Sequence, residues 1–199
     1  MDPIAAIAIA AGLGWASGMR LYAVLFFLGV LHYAGLYALP ASLQVLAHPT
    51  VMAISGFLFF VEFFADKIPV FDSLWDALQT FVRIPGGALL AAAAVAGGDP
   101  ALGVAAGLLG GAMAAGSHLT KSGSRALINT SPEPFSNWAA SFSEDTLALA
   151  GVWAALKYPL AFLTLLALFI LCALWLLPRL WRGIRRVFAG LGRLPGKAG

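Results

Sequence analysis

From Ile4 to Leu31 the chain runs through apolar, glycine and small polar residues with a single charged side chain, Arg20. A run of this length exceeds the roughly 20 residues that a helix needs to cross a hydrocarbon core. Further apolar runs occur at 50–65, 84–97, 100–119, 139–156 and 158–178. Their lengths predict an all-α, polytopic helical membrane protein with about six transmembrane helices. With 61% hydrophobic and 11% charged residues over 199 positions, the separators are too short for a further soluble domain. The expected organisation is one transmembrane domain over 1–178, followed by a basic juxtamembrane tail over 179–199.

The opening "MDPIAAIAIAAG" places an acid where a secretory signal carries basic residues, so this run is expected to be retained as the first span. Cys172 is the one cysteine, which excludes an intramolecular disulfide and a cysteine metal cage. The net charge of +3 is not a nucleic-acid signal, because half of the basic residues lie in the tail. Arg179, Arg182, Arg185 and Arg186 follow an apolar run, beside Trp175 and Trp181, as expected of an anchor to anionic lipid headgroups.

Loop charge sets the expected sidedness. If Lys157-Tyr158-Pro159 is a turn, six crossings place Lys67, Arg83, Lys121, Arg125 and the tail cations on the cytoplasmic side, with only Lys157 opposite. Both termini are then cytoplasmic, in an inner (plasma) membrane. A five-span alternative with the tail inside moves Lys67, Arg83, Lys121 and Arg125 outside, against the charge rule.

Two halves, 1–98 and 99–178, carry matching features. Asp2-Pro3 opens one and Asp99-Pro100 the other; Gly12, Gly18, Arg20 and Leu21 align with Gly110, Gly116, His118 and Leu119. Further on, "ADKIPV" at 65–70 matches "ALKYPL" at 155–160. Three spans per half would make a 3+3 inverted repeat, a plan of transporters with sites between the halves. Chance matching in so biased a composition is the alternative. Gly14 and Gly18, and Gly103, Gly107 and Gly111, form small-residue strips that predict close helix approach.

An arginine near a bilayer centre costs from about 2.5 to over 10 kcal/mol and needs a partner. Glu62 and Asp66, four residues apart on one helical face, are the candidates. Either the pair fixes helix register, or Arg20 holds an anion bidentately while Glu62 gates it. His118 has two readings: opposite Arg20 it is a group that changes charge near neutral pH, and otherwise, the more ordinary case for a lone histidine near a span end, it is a satisfied polar residue. A second set is expected at the cytoplasmic face: Asp66, Asp72 and Asp76 in one separator, with Asp72 and Asp76 sharing a face of an interfacial helix, and Lys121, Arg125, Asn129, Glu133, Glu144 and Asp145 in the other. Their opposite charges either meet across a vestibule or pair as solvated loops. These carboxylates suit Mg²⁺ beside a phosphate gripped by Lys121 and Arg125. The chain has no HExxH, GxSxG, Walker or CxxC pattern, however, and the expectation is no metal and no cofactor.

The strings "ASGMRLY", "ADKIPVFDSLWDALQTFVRIPGGALLA" and "TKSGSRALINTSPEPFSNWAASFSED" resemble a bacterial membrane-protein family, domain of unknown function 4126. The resemblance implies no activity and transfers no site residue. The residues themselves lead to a small transporter or permease for an anionic solute or lipid phosphate. The alternatives are a non-catalytic assembly protein and a metal-dependent enzyme acting on lipid phosphates. Membrane lipids, a small anionic solute and a second copy of the chain are the expected partners, and nucleic acid is not.

Overall fold

The computed structural model describes residues 2–68, 71–130 and 135–191, with side chains as far as Arg185. Pro69 of the repeat match, Glu133 of the second loop and the tail beyond 191 lie outside the described residues, and Arg186 is described in its backbone alone. Among the described residues there are six α-helices, one 3-10 turn and no strand. The helices are α1 (Pro3–Tyr33), α2 (Pro49–Ala65), α3 (Phe71–Ala94), α4 (Pro100–Ile128), α5 (Phe135–Lys157) and α6 (Pro159–Leu191); the turn is Ala41–Ala47.

Local chemistry sets the starts. Asp2 accepts from the Ala5 amide at 3.1 Å and Asp99 from the Ala101 amide at 2.9 Å, each followed by proline in the first turn. Proline there has a preset φ and lacks an N–H that would go unsatisfied anyway. His48 caps α2 through Nδ1, 3.3 Å from the Thr50 amide. Gly97, at φ 101°, makes the left-handed turn between α3 and α4.

Every residue of α1 from Ala8 to Leu21 is buried, so this helix is enclosed on all faces by α2 to α6. The outer helices turn Phe57, Phe60, Phe81, Leu89, Leu108, Leu165 and Leu171 outward, as lipid-facing helices do. Four helices are long and apolar enough to cross a membrane: α1, α3, α4 and the Pro159–Arg185 part of α6. The Ala41–Ala47 turn with α2, bent by 69°, makes a fifth if the pair is one broken span. Trp15 of α1 joins α6 through edge-to-face contacts with Phe162 and Phe169, at centroid separations of 6.2 and 5.5 Å.

Helix packing uses one of the two expected strips. A Cβ added at Gly14 would collide with the Gly110 backbone, and one at Gly18 with Ala114 and Ser117 of α4. Gly103, by contrast, faces open space and Gly107 has only ordinary contacts. Gly110, one position before Gly111, carries the close approach on α4.

The separator expected to hold an interfacial helix with Asp72 and Asp76 is the first half of α3, continuous with the apolar run that follows it. Its buried positions Asp72, Asp76, Gln79, Arg83, Gly87, Leu90 and Ala94 form one stripe, polar at the start and apolar at the end. In α4 the buried stripe runs the other way, from Ala106, Gly110 and Ala114 to His118, Lys121 and Arg125. In α5 it runs from Asn137, Ser141, Glu144 and Asp145 to Ala148, Val152 and Ala155. The three polar halves converge at one end of the bundle. Helix α6 likewise continues through Pro178 to Leu191, so the basic segment after 178 begins as helix.

Candidate functional site

The polar halves meet where α1 breaks. Arg20 has non-helical backbone angles (φ −150°, ψ 72°) inside α1. Two α4 side chains meet carbonyls on the preceding turn. Ser117 Oγ donates to the Trp15 carbonyl at 2.7 Å, and the Lys121 ammonium reaches the Met19 carbonyl at 3.5 Å. A cation at the carbonyl end of a half-helix matches the negative end of its dipole.

Arg20 is fully buried and ringed by acids. Nη1 pairs closely with Asp66 Oδ2 and lies 3.8 Å from Glu62; Nη2 is 3.2 Å from Glu144 and Nε 2.7 Å from Asp145. Nη2 also donates to Ser141, to the carbonyl at 3.2 Å and to Oγ at 3.1 Å. Of the two expected counter-ions, Asp66 is therefore the direct one. Glu62 belongs to Arg83, which pairs closely with it and with Asp76 at 2.8 Å.

Arg83 also places Nη1 3.2 Å from His118 Nδ1. A guanidinium only donates, so Nδ1 accepts and the proton sits on Nε2, 2.7 Å from Thr80 Oγ1. His118 is thus a satisfied polar residue between Arg83 and Thr80, the more ordinary of its two readings, and not a group that changes charge near neutral pH. The physical reason is that Arg83 occupies the lone pair a second proton would need.

Lys121 lies 3.1 Å from Asp66, 3.2 Å from Asp76 and 3.6 Å from Glu144. Arg125 grips Glu144 bidentately, Nε to Oε1 at 2.8 Å and Nη2 to Oε2 at 2.9 Å. Its Nη1 donates to the Asp66 carbonyl and to both oxygens of Asn137, each at 3.1 Å. Asn137 donates to Asn129 Oδ1 at 2.7 Å, and Asn129 donates to Asp72 at 3.0 Å. Arg20, Glu62, Asp66, His118, Lys121, Arg125, Asp72, Asp76, Asn129, Glu144 and Asp145 thus form one network, not a midplane pair and a separate solvated loop set.

Asp72 and Asp76 share a helical face as expected, but in α3 and buried. The loop placement of Lys121, Arg125, Glu144 and Asp145 is corrected on two counts, since all four lie in helices and all four are buried. Mutual pairing replaces the water they give up, which is why charged segments pack inside an apolar bundle. Asn129 follows the last residue of α4 and caps it. Sequence reasoning missed Arg83, Thr80, Asn137 and Ser141 as members. For Arg83 a signal existed, because positions 72, 76, 79 and 83 follow the helical stripe that continues into the apolar run.

Burial by itself would raise the Asp66 carboxyl, but Lys121, Arg20 and Arg125 together outweigh it and hold the group down at about 2. Lys67, one residue on, sits at the rim with its ammonium 3.0 Å from the centroid of the Phe63 ring. A separate apolar cavity of about 550 Å³ lies towards the opposite end, lined by Ile7, Ala10, Val95, Leu102 and Leu109 among others, with no charged wall.

A family model for a domain of unknown function, DUF4126, matches residues 7–179. The chain belongs to that family. No curated protein and no solved structure matches it.

Proposed function

We propose that this member of a family without an assigned activity is a small membrane transporter or permease for an anionic solute or a lipid phosphate. The observation that carries the reading is the bidentate Arg125–Glu144 pair beside Arg20. Glu144 stands in the guanidinium fork as a solute carboxylate or phosphate would. It is also among the more accessible acids of the network, its side chain 11% exposed against 0% for Glu62 and Asp66. Outward rotation of Glu144 frees Arg125, and part of Arg20, to take the anion. The break in α1 supports the reading, since solute sites in transporters lie at discontinuous helices.

The finer topology belongs to the same proposal: six crossings, an inner membrane, cytoplasmic termini and a 3+3 inverted repeat. Two local correspondences support the repeat, the first being the matched lysines at the ends of α2 and α5. The packing does not, because α1 up to Arg20 runs parallel to α4 (Gly14 meets Gly110, Gly18 meets Ala114), whereas inverted copies run antiparallel. Lys67 lies over the Phe63 ring and Lys157 over the Trp153 ring, each four residues back. The two aspartate caps before proline are a second correspondence.

The test is binding and uptake of inorganic phosphate and small carboxylates by the purified protein in liposomes. Glu144→Gln removes the internal competitor and is expected to tighten anion binding, whereas Arg125→Ala abolishes it. Absence of anion binding in wild type, or equal affinity in all three proteins, refutes the proposal.

A further inference from the structure

We infer that Asp66, Asp72 and Asp76 hold one divalent cation of the oxygen-preferring class, Mg²⁺, Mn²⁺ or Ca²⁺. One carboxylate oxygen from each lies within 4.8 Å of the others. Opposite ligands are about 4.2 Å apart on Mg²⁺ and up to about 5.2 Å apart on Ca²⁺, so the three acids need little movement to share an ion. Asp66 caps the end of α2, and Asp72 and Asp76 lie one turn apart at the start of α3. The corner between two helices therefore fixes all three.

Three acids near one another are not in themselves a site, and the decisive observation is what they leave unsatisfied. Among the described residues, Asp66 Oδ1, Asp72 Oδ1 and Asp76 Oδ2 are buried without a hydrogen-bond partner, on residues no more than 1% exposed. A buried carboxylate oxygen left in this way keeps the desolvation penalty of burial without the bond that would offset it. Asp72 is the sharpest case. It is 0% exposed and makes no ion pair among the described residues, holding only the Asn129 amide at 3.0 Å.

Charge balance points the same way. The network buries six carboxylates, Glu62, Asp66, Asp72, Asp76, Glu144 and Asp145, against four cations, Arg20, Arg83, Lys121 and Arg125. The excess of two negative charges equals one dication. Lys67, whose ammonium binds the Phe63 carbonyl and Ser141 Oγ at the rim, offsets part of this excess on the Asp145 side and makes no ion pair with the three aspartates. Gln79, on the same face of α3 as Asp72 and Asp76, also keeps its buried Oε1 without a partner among the described residues. Lys121 and Arg20 share Asp66 Oδ2 and weaken the site electrostatically, which favours exchangeable over permanent binding.

The test is Mn²⁺ titration of the purified full chain, followed by electron paramagnetic resonance, with Mg²⁺ and Ca²⁺ as competitors. One saturable Mn²⁺ per chain is expected, weakened at least about tenfold in Asp72→Asn and unchanged in Asp99→Asn, which alters only the α4 cap. Asp72 is chosen because removing its charge breaks no ion pair. A second measurement needs no variant: Fe²⁺ with ascorbate and peroxide is expected to cut the wild-type backbone near the α2–α3 corner. Absence of a saturable site, unaltered binding in Asp72→Asn, or cleavage elsewhere overturns the inference. Mn²⁺ binding is read without solute or transport, so its failure and that of the anion proposal are separate results.

Discussion

Arg83→Met removes the cation that Glu62 and Asp76 share, while keeping most of the side-chain volume. In the native protein Glu62 Oε1 and Asp76 Oδ1 both receive Arg83, and His118 Nδ1 takes a third bond at 3.2 Å. After the change, Glu62 retains only Arg20 at 3.8 Å, with its Oε2 already unpartnered, whereas Asp76 keeps Lys121 at 3.2 Å. Breaking a buried pair from one side costs about 3–5 kcal/mol, because the remaining charge stays desolvated. The upper part of that range applies to Glu62, which is fully buried. Adding Glu62→Gln removes the stranded charge, so the double variant is expected to recover about half or more of the loss. The assay is reversible unfolding in mixed micelles, wild type against the two single variants and the double. A single variant within about 1 kcal/mol of wild type, or a double variant no more stable than Arg83→Met, refutes the reasoning that pairing sustains these charges.

Gly14→Ala is expected to destabilise the bundle by at least about 1–3 kcal/mol, since the new methyl meets Gly110 backbone that cannot rotate away. Gly103→Ala, which meets nothing, serves as the control, and equal melting of the two proteins sinks the packing argument. For the topology, Cys172→Ser with single cysteines beside Lys67 and Lys157 is labelled in intact cells by an impermeant thiol reagent. Labelling on opposite sides is the expected result; labelling on the same side removes the inverted plan.

Much of this protein was legible in one dimension because its strongest constraints are local. The apolar runs are long enough for helices, and the Asp-Pro pairs mark where α1 and α4 start. Gly14 and Gly18 foretell a helix close against α1, and Arg20 demands an acid that Asp66 supplies. What the sequence could not decide is which charges meet, because a hydropathy window treats every charged residue as wet. Asp72, Arg83, Lys121 and Glu144 look like loop residues on that measure, yet they are buried on helices that continue their apolar neighbours. Their burial is tolerable only because side chains from α1 to α5 neutralise and hydrogen-bond one another at the end where the polar half-stripes converge. That convergence is a property of how the helices pack, and tertiary structure alone selects the partners: Asp66 for Arg20, Glu62 for Arg83, and an Asp72 that makes no ion pair among the described residues.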